Sequence, residues 1–261
     1  MDLKLTATGQ ALHSSLPVHN NAVYNLSQAL AKLQAFNPPA RLTDFTRDFF
    51  RRIAPLQQED GQTTIRLLLD GTAQERQMAA NLIAQDPFFR SQVKDTLTPV
   101  TISSGTDTGA SSAEASAVLN VRLLPDTDPE EFVKELKNFL GEESSLSIEI
   151  LEQPQLPFPK PMKGNDELFA SISRVAETTW PGAVAVPGMS PASGDSEFLR
   201  RLGVITYGLG PAMNSHADAP SAHAADEYLS EADYQEQVRF FTNVVRDFLF
   251  GPLTPTDTQE D

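Results

Sequence analysis

Apolar and polar residues alternate from the start of the chain. Leu3, Leu5 and Ala7 stand against Lys4, Thr6 and Thr8, the period of two that a half-buried strand requires. The chain therefore begins inside a strand with no lead-in, which predicts a missing upstream part. A loop of turn formers follows, GQALHSSLPVHNN (residues 9–21), with His13 and His19. The period then changes to that of a helix. Ala22, Leu26, Ala29, Leu30 and Leu33 share one face, and Asn37-Pro38-Pro39 ends the run. Residues 40–98 carry two or three helix-like pieces, DFTRDFFRRIAPL and TAQERQMAANLIAQ among them, with an aromatic pair at Phe88 and Phe89. We read this stretch as a helical insertion. Its apolar stripes are core packing, with a partner or substrate surface as the alternative.

Strand periods return at TPVTISSG (residues 98–105). The small-residue loop GTDTGASS separates it from a long strand in which Ala115, Ala117, Leu119, Val121 and Leu123 alternate with their neighbours. Asp128 is placed to cap a helix with Pro129 at its first position and Glu131 three residues beyond the cap. Phe132, Val133, Leu136, Phe139 and Leu140 give that helix one apolar face, and LSIEIL (146–151) reads as a further strand. Residues 1–152 thus predict an α+β domain, a sheet covered by helices, with the insertion at about 40–98.

The segment at 152–166, with Pro154, Pro157, Pro159 and Pro161, reads as a crossing between domains. Beyond it, from 153 to 261, DELFASISRVAETTW is helical, VAVPGM strand-like, DSEFLRRLG a short helix and VITYGLG (204–210) strand-like. Tyr234, Val238, Phe241, Val245 and Phe248 mark a last long helix. This alternation predicts a partial α/β domain. Two or three strands make a thin sheet whose edge needs covering, so the domain is expected to be incomplete by itself.

Charge and composition narrow the chemistry. Among 261 residues the formal net charge is -15, which argues against nucleic acid and anionic membrane surfaces as partners, since both are bound through excess Lys and Arg. No run of 18 apolar residues predicts a membrane span, and the N-terminus has no basic start followed by an apolar stretch. With no cysteine, any zinc here must be held by His, Asp and Glu. The candidate for that role is His223 in SAHAADEY (221–228), with Glu227 four residues on as the carboxylate that orients the imidazole. The same pair also fits a solvated loop. His216, Asp218, His223 and Asp226 form an alternative cluster at a spacing that matches no standard metal arrangement, and His19 reads as a plain loop residue.

Four stretches, taken together and in order, resemble the M20 metallopeptidase family, di-zinc amidohydrolases of the aminoacylase and carboxypeptidase type. They are GQALHSSLPVHNNA, ASAVLNVRLLPDTDPEEF, SPASGDSEFLRRLGVITYGLGP and HAADEYLSEADY. The first two are similar to that family's lid or dimerisation domain and the last two to the closing motifs of its catalytic domain.

The resemblance implies a homodimer formed through the lid domain and a peptide or N-acyl amino acid substrate. It implies two zinc ions per active site in the intact enzyme, with His223 matching the last zinc ligand and Glu227 beside it. His13 matches the lid histidine that reaches a partner subunit's active site and binds the oxyanion. Asp195, Ser196 and Arg200 match a segment near the substrate's carboxylate, for which a guanidinium fork is suited. The family's remaining metal ligands and its general base lie upstream of the lid domain. This chain alone is therefore expected to be an inactive C-terminal portion, with a non-catalytic dimerisation or binding module as the alternative. Gly109-Ala110-Ser111-Ser112 stands where the family carries an Asn-containing turn, and Gly194 where Thr is usual.

Overall fold

The computed structural model describes residues 1–105, 109–141, 145–152, 162–190, 194–209, 225 and 227–252. It divides into two compact units, Met1–Phe158 and Pro159–Asp261.

The first unit is built on a four-stranded antiparallel sheet. Its strands are β1 (Asp2–Thr8), β2 (Thr96–Ser104), β3 (Glu114–Arg122) and β4 (Leu146–Glu152), in the spatial order β2, β3, β1, β4. Leu5 of the central strand faces Ala117 on one side and Ile148 on the other. The period-two pattern sets which face is dry. Leu3, Leu5, Ala115, Ala117, Leu119 and Val121 are all buried against two helices, α1 (Ala22–Leu33) and α6 (Pro129–Leu140). Leu26, Leu33, Phe132, Leu136 and Leu140 fill the space above the strands, and Phe36 meets the edge of Phe132 with ring centroids 5.8 Å apart. Both helices start where the sequence marks them. Asn21 accepts from the amides of Val23 and Tyr24, and Asp128 accepts from those of Glu130 and Glu131.

The insertion holds four helices, more than the two or three pieces read from the sequence: α2 (Asp44–Ile53), α3 (Glu59–Asp70), α4 (Ala73–Ile83) and α5 (Pro87–Val93). Short helices of this kind carry too few apolar turns to stand out by period alone. The aromatic residues are mainly core: Phe49 and Phe50 pack with Phe88 and Phe89 at centroid distances of 5.2 to 6.4 Å. A polar knot ties the insertion to the sheet. Asp95, largely buried, accepts from the Leu124 amide at 2.6 Å and from the Thr127 hydroxyl, and pairs with Arg41, whose guanidinium also meets Asp126. Beside it, Lys94 donates to Asn37 at 2.9 Å, and burial followed by the nearby Arg90 charge holds its ammonium below the usual lysine range.

The second unit is helical in its described residues: α7 (Glu167–Thr179), α8 (Ser196–Arg201) and α9 (Glu231–Phe250). Ile172, Val175 and Ala176 of α7 pack on Phe240 and Val244 of α9, and Trp180 stacks on Phe240 with centroids 5.0 Å apart. Arg174 reaches Asp247 at 2.6 Å, and that carboxylate is only 2% exposed. One expectation from the sequence is corrected by the structure. The segments expected as strands, VAVPGM at 184–189 and VITYGLG at 204–210, join no ladder in their described residues, 184–189 and 204–209. A β-prone stretch becomes a strand only where a neighbour takes up its backbone groups. The last helix lies where Tyr234, Val238, Phe241, Val245 and Phe248 marked it, but those residues are not its buried face. All five are exposed, and the contact with α7 runs through Phe240, Val244 and Asp247.

Candidate functional site

The best-defined chemical group of the first unit is the His13 loop. It leaves the end of β1 at Gly9 and returns to the start of α1 at Ala22, so it must double back within 12 residues. Gly9 permits this: a Cβ there would sit 2.3 Å from the Ala22 nitrogen and 2.8 Å from the Asn21 carbonyl carbon. The neck of the loop is closed by Gln10 N–H donating to Asn20 O at 2.8 Å. It is closed further by the Asn25 side chain donating to Thr8 O at 2.8 Å and to Asn20 Oδ1 at 2.9 Å.

The loop is then laid against the segment that leads into β3. Gly9 N–H donates to Ala113 O, Ser14 N–H to Gly109 O at 2.9 Å and Ser111 N–H to Leu12 O at 2.8 Å, while His13 and Ala110 form an isolated antiparallel bridge. The Ser111 hydroxyl is threaded into the same contact. It accepts from Leu12 N–H at 2.9 Å and faces Gln10 O at 3.0 Å. The structure thus joins two stretches that the sequence singled out separately, His13 and Gly109-Ala110-Ser111-Ser112. A backbone laced on both sides of residue 13 holds an exposed imidazole at the end of the sheet, with Ser15 Oγ at 2.8 Å from its Nδ1 and Ser15 N–H donating to the same atom at 3.2 Å. An imidazole held in this way can donate to, or accept from, a ligand brought to it. Sequence reading assigned no individual role to Ser15 or Ser111. The signal was present in the His-x-Ser spacing, a pattern in which a hydroxyl or amide two residues on turns back to the preceding side chain.

In the second unit Asp195 precedes α8, whose first residue is Ser196, and Arg200 Nη1 donates to Ser196 Oγ at 3.3 Å across one turn. Asp195 is exposed, Arg200 is half-buried, and the Ser196 carbonyl accepts from Thr206 at 3.4 Å. Ser196 and Arg200 therefore share one helix face, and Arg201 turns to Glu197 instead. Tyr207 anchors the following segment to the first turn of α7, through its hydroxyl to Asp166 and its ring to Phe169 at 5.3 Å. Burial, with Asp166 adding to it, pushes the phenol up to about 12. Glu227 is exposed, whereas His223 lies outside the described residues, as do His216, Asp218 and Asp226. Among the described residues no three His, Asp or Glu side chains converge as a metal site would require, so these residues do not by themselves fit the zinc centre that the resemblance implies.

Comparison with known proteins bears on both units. Over 250 residues, 94% of this chain, it is 21% identical to the probable carboxypeptidase S-like 2 of Dictyostelium discoideum and 20% identical to an N-fatty-acyl-amino acid synthase/hydrolase of Mus musculus. It covers 46% and 48% of those proteins, so the chain spans about half the length of these curated relatives. Among solved structures, a metallo-carboxypeptidase of the M20 family from Sulfolobus solfataricus superposes with a TM-score of 0.52 at 17% identity, over 95% of this chain and 57% of the other. Human carnosine dipeptidase 1 superposes with a TM-score of 0.55 at 12% identity, over 95% and 54%. These likenesses show a shared mixed fold. Residues 1–146, more than half of the chain, match the peptidase dimerisation domain of M20 proteins, and the chain belongs to that family.

Proposed function

We propose that this chain serves an M20-type amide hydrolase, acting on a peptide or N-acyl amino acid, and that His13 is the group it presents to the scissile carbonyl. The observation that carries this reading is the His13 loop itself: an exposed imidazole fastened by backbone bonds from Ser14 and Ser111 on the domain that matches the dimerisation family. A preorganised N–H donor stabilises the negative charge that develops on a carbonyl oxygen as it becomes tetrahedral. When bound, zinc supplies the activated water in such hydrolases. Since the described residues do not form that centre, no step is assigned through it. Arg200, with Ser196 beside it and Asp195 just before it, is assigned to the substrate's carboxylate, and His223 to the metal with Glu227 behind it.

The partner in this reading is a second copy of the chain, docked through the first unit. β2 is an edge strand without a single charged residue from Thr96 to Ser104, in a chain of net charge -15, and Val100 and Ile102 are 54% and 67% exposed. Uncharged edges of this kind invite pairing unless covered. Pro99 has no N–H to give and the register shifts beside it, so Thr101–Ser104 is the stretch assigned to pairing along the outer edge. Antiparallel pairing of that stretch with its own copy is the isologous contact a two-fold axis generates.

Light scattering on the purified chain tests the docking, and hydrolysis of N-acyl amino acids and dipeptides in added zinc tests the expectation that this chain is inactive alone. The expected result is a particle of twice 28.5 kDa that does not turn over substrate alone. Zinc-dependent turnover abolished by His223→Ala overturns the expectation of an inactive chain and extends the enzyme reading to it. A monomer that persists at high concentration overturns the docking assignment.

A further inference from the structure

Resting on the role proposed for His13, we propose that Ser15 is a positioning residue that fixes the neutral His13 ring in the tautomer with its proton on Nε2. A backbone N–H can only donate, and the Ser15 amide donates to His13 Nδ1 at 3.2 Å, so Nδ1 of the neutral ring carries a lone pair and the proton resides on Nε2. The Ser15 hydroxyl, 2.8 Å from the same nitrogen, adds a second donor. Both contacts come from one residue two positions along an exposed loop, so they turn the ring back onto its own chain and leave Nε2–H as the outward atom.

The loop cannot easily swing away from this arrangement. The residue before His13 has both backbone groups engaged by Ser111, its N–H by the hydroxyl at 2.9 Å and its carbonyl by the amide at 2.8 Å. The residue after it donates to Gly109. A donor aimed outward on a fixed backbone is what polarising a carbonyl requires. With the opposite tautomer Nε2 would offer a lone pair, which repels a carbonyl oxygen.

Long-range proton–nitrogen correlation spectra of the full chain labelled with nitrogen-15 histidine, recorded at a pH where the imidazoles are neutral, read the tautomer directly. The His13 signals are identified by their loss in His13→Gln. The wild-type chain is expected to show His13 with Nδ1 unprotonated. Removing one of the two donors in Ser15→Ala is expected to raise the Nδ1–H share about fivefold, the effect of losing one hydrogen bond of ordinary strength. Ser15→Thr, which keeps both donors, is expected to restore the wild-type ratio. An Nδ1-protonated His13 in the wild-type chain, or a ratio that does not move in Ser15→Ala, overturns the proposal. Ser15 is exposed, so neither variant threatens folding. The spectrum needs no turnover, so its outcome is separate from whether the chain serves a hydrolase.

Discussion

α6 and α9 are amphipathic helices of the same kind, yet they meet opposite fates. In α6 the apolar stripe read from the sequence is the stripe that is buried: Phe132, Val133, Leu136 and Leu140 all lie against the sheet. In α9 the corresponding stripe, Tyr234 through Phe248, is 42 to 60% exposed, and a different line of residues makes the contact. The difference lies in what each helix faces. The sheet offers a plane of alternating side chains wide enough to take the whole apolar arc of α6. α7 is a single cylinder, and packing of ridge into groove between two helices covers a narrower strip. A hydrophobic period therefore predicts that a face exists, while the partner decides which residues of it become dry.

The largest expected effect separates the two regions directly. Leu119 is fully buried in the sheet, and Leu119→Ala is expected to cost about 2–5 kcal/mol of unfolding free energy in a denaturant titration. Val245→Ala on the exposed stripe of α9, at a position 55% exposed, is expected to stay within about 0.5 kcal/mol. Equal losses from the two would mean that the α9 stripe is covered in solution.

A second measurement sharpens the contrast by asking what does hold α9. The buried carboxylate of Asp247 is held by Arg174, which also reaches Glu167 at 3.0 Å, and these contacts raise the affinity of the guanidinium for its proton. Asp247→Ala leaves that arginine without its main partner. Breaking a fully buried pair costs about 3–5 kcal/mol, and because Arg174 remains 37% exposed to solvent the expected loss is about 2–3 kcal/mol. A loss below about 0.5 kcal/mol, the range of neutral surface changes, would show that the apolar contacts of Phe240 and Val244 suffice.

Legibility from sequence follows the same division. β1, β3, α1 and α6 could be read residue by residue, because each carries its own period and α6 also its own cap in Asp128; the Asn21 cap of α1 came only with the structure. The segments at 184–189 and 204–209 were misread as strands because their Val and Ile content reports only a preference for a pleated surface. For the site, His13 was visible through its motif, and its neighbour at 109–112 through its departure from the family's turn. That the two touch, through Ser111 and Gly109, depends on a contact between residues about 100 positions apart, which no local pattern encodes.

The smallest effect expected is a pH dependence that belongs to the second unit alone. Tyr207 titrates at about 12 instead of its ordinary 10.0, first because burial disfavours the phenolate and then because Asp166 accepts its proton in a hydrogen bond and repels the anion. A raised value for an acid means that the folded state keeps its proton while the unfolded state has lost it. The contribution is therefore fully present below about pH 10 and declines as the pH rises from about 10 towards 12. Tyr207→Phe removes the hydroxyl, so the variant is expected to be less stable than the wild type at neutral pH and to lose this part of the alkaline decline. Thermal melts of both proteins across that range provide the check, with near-ultraviolet absorbance following the phenol. Parallel declines in the two would mean that Tyr207 and Asp166 are not coupled in solution, and that the 204–209 segment is held to α7 by the Phe169 ring contact instead.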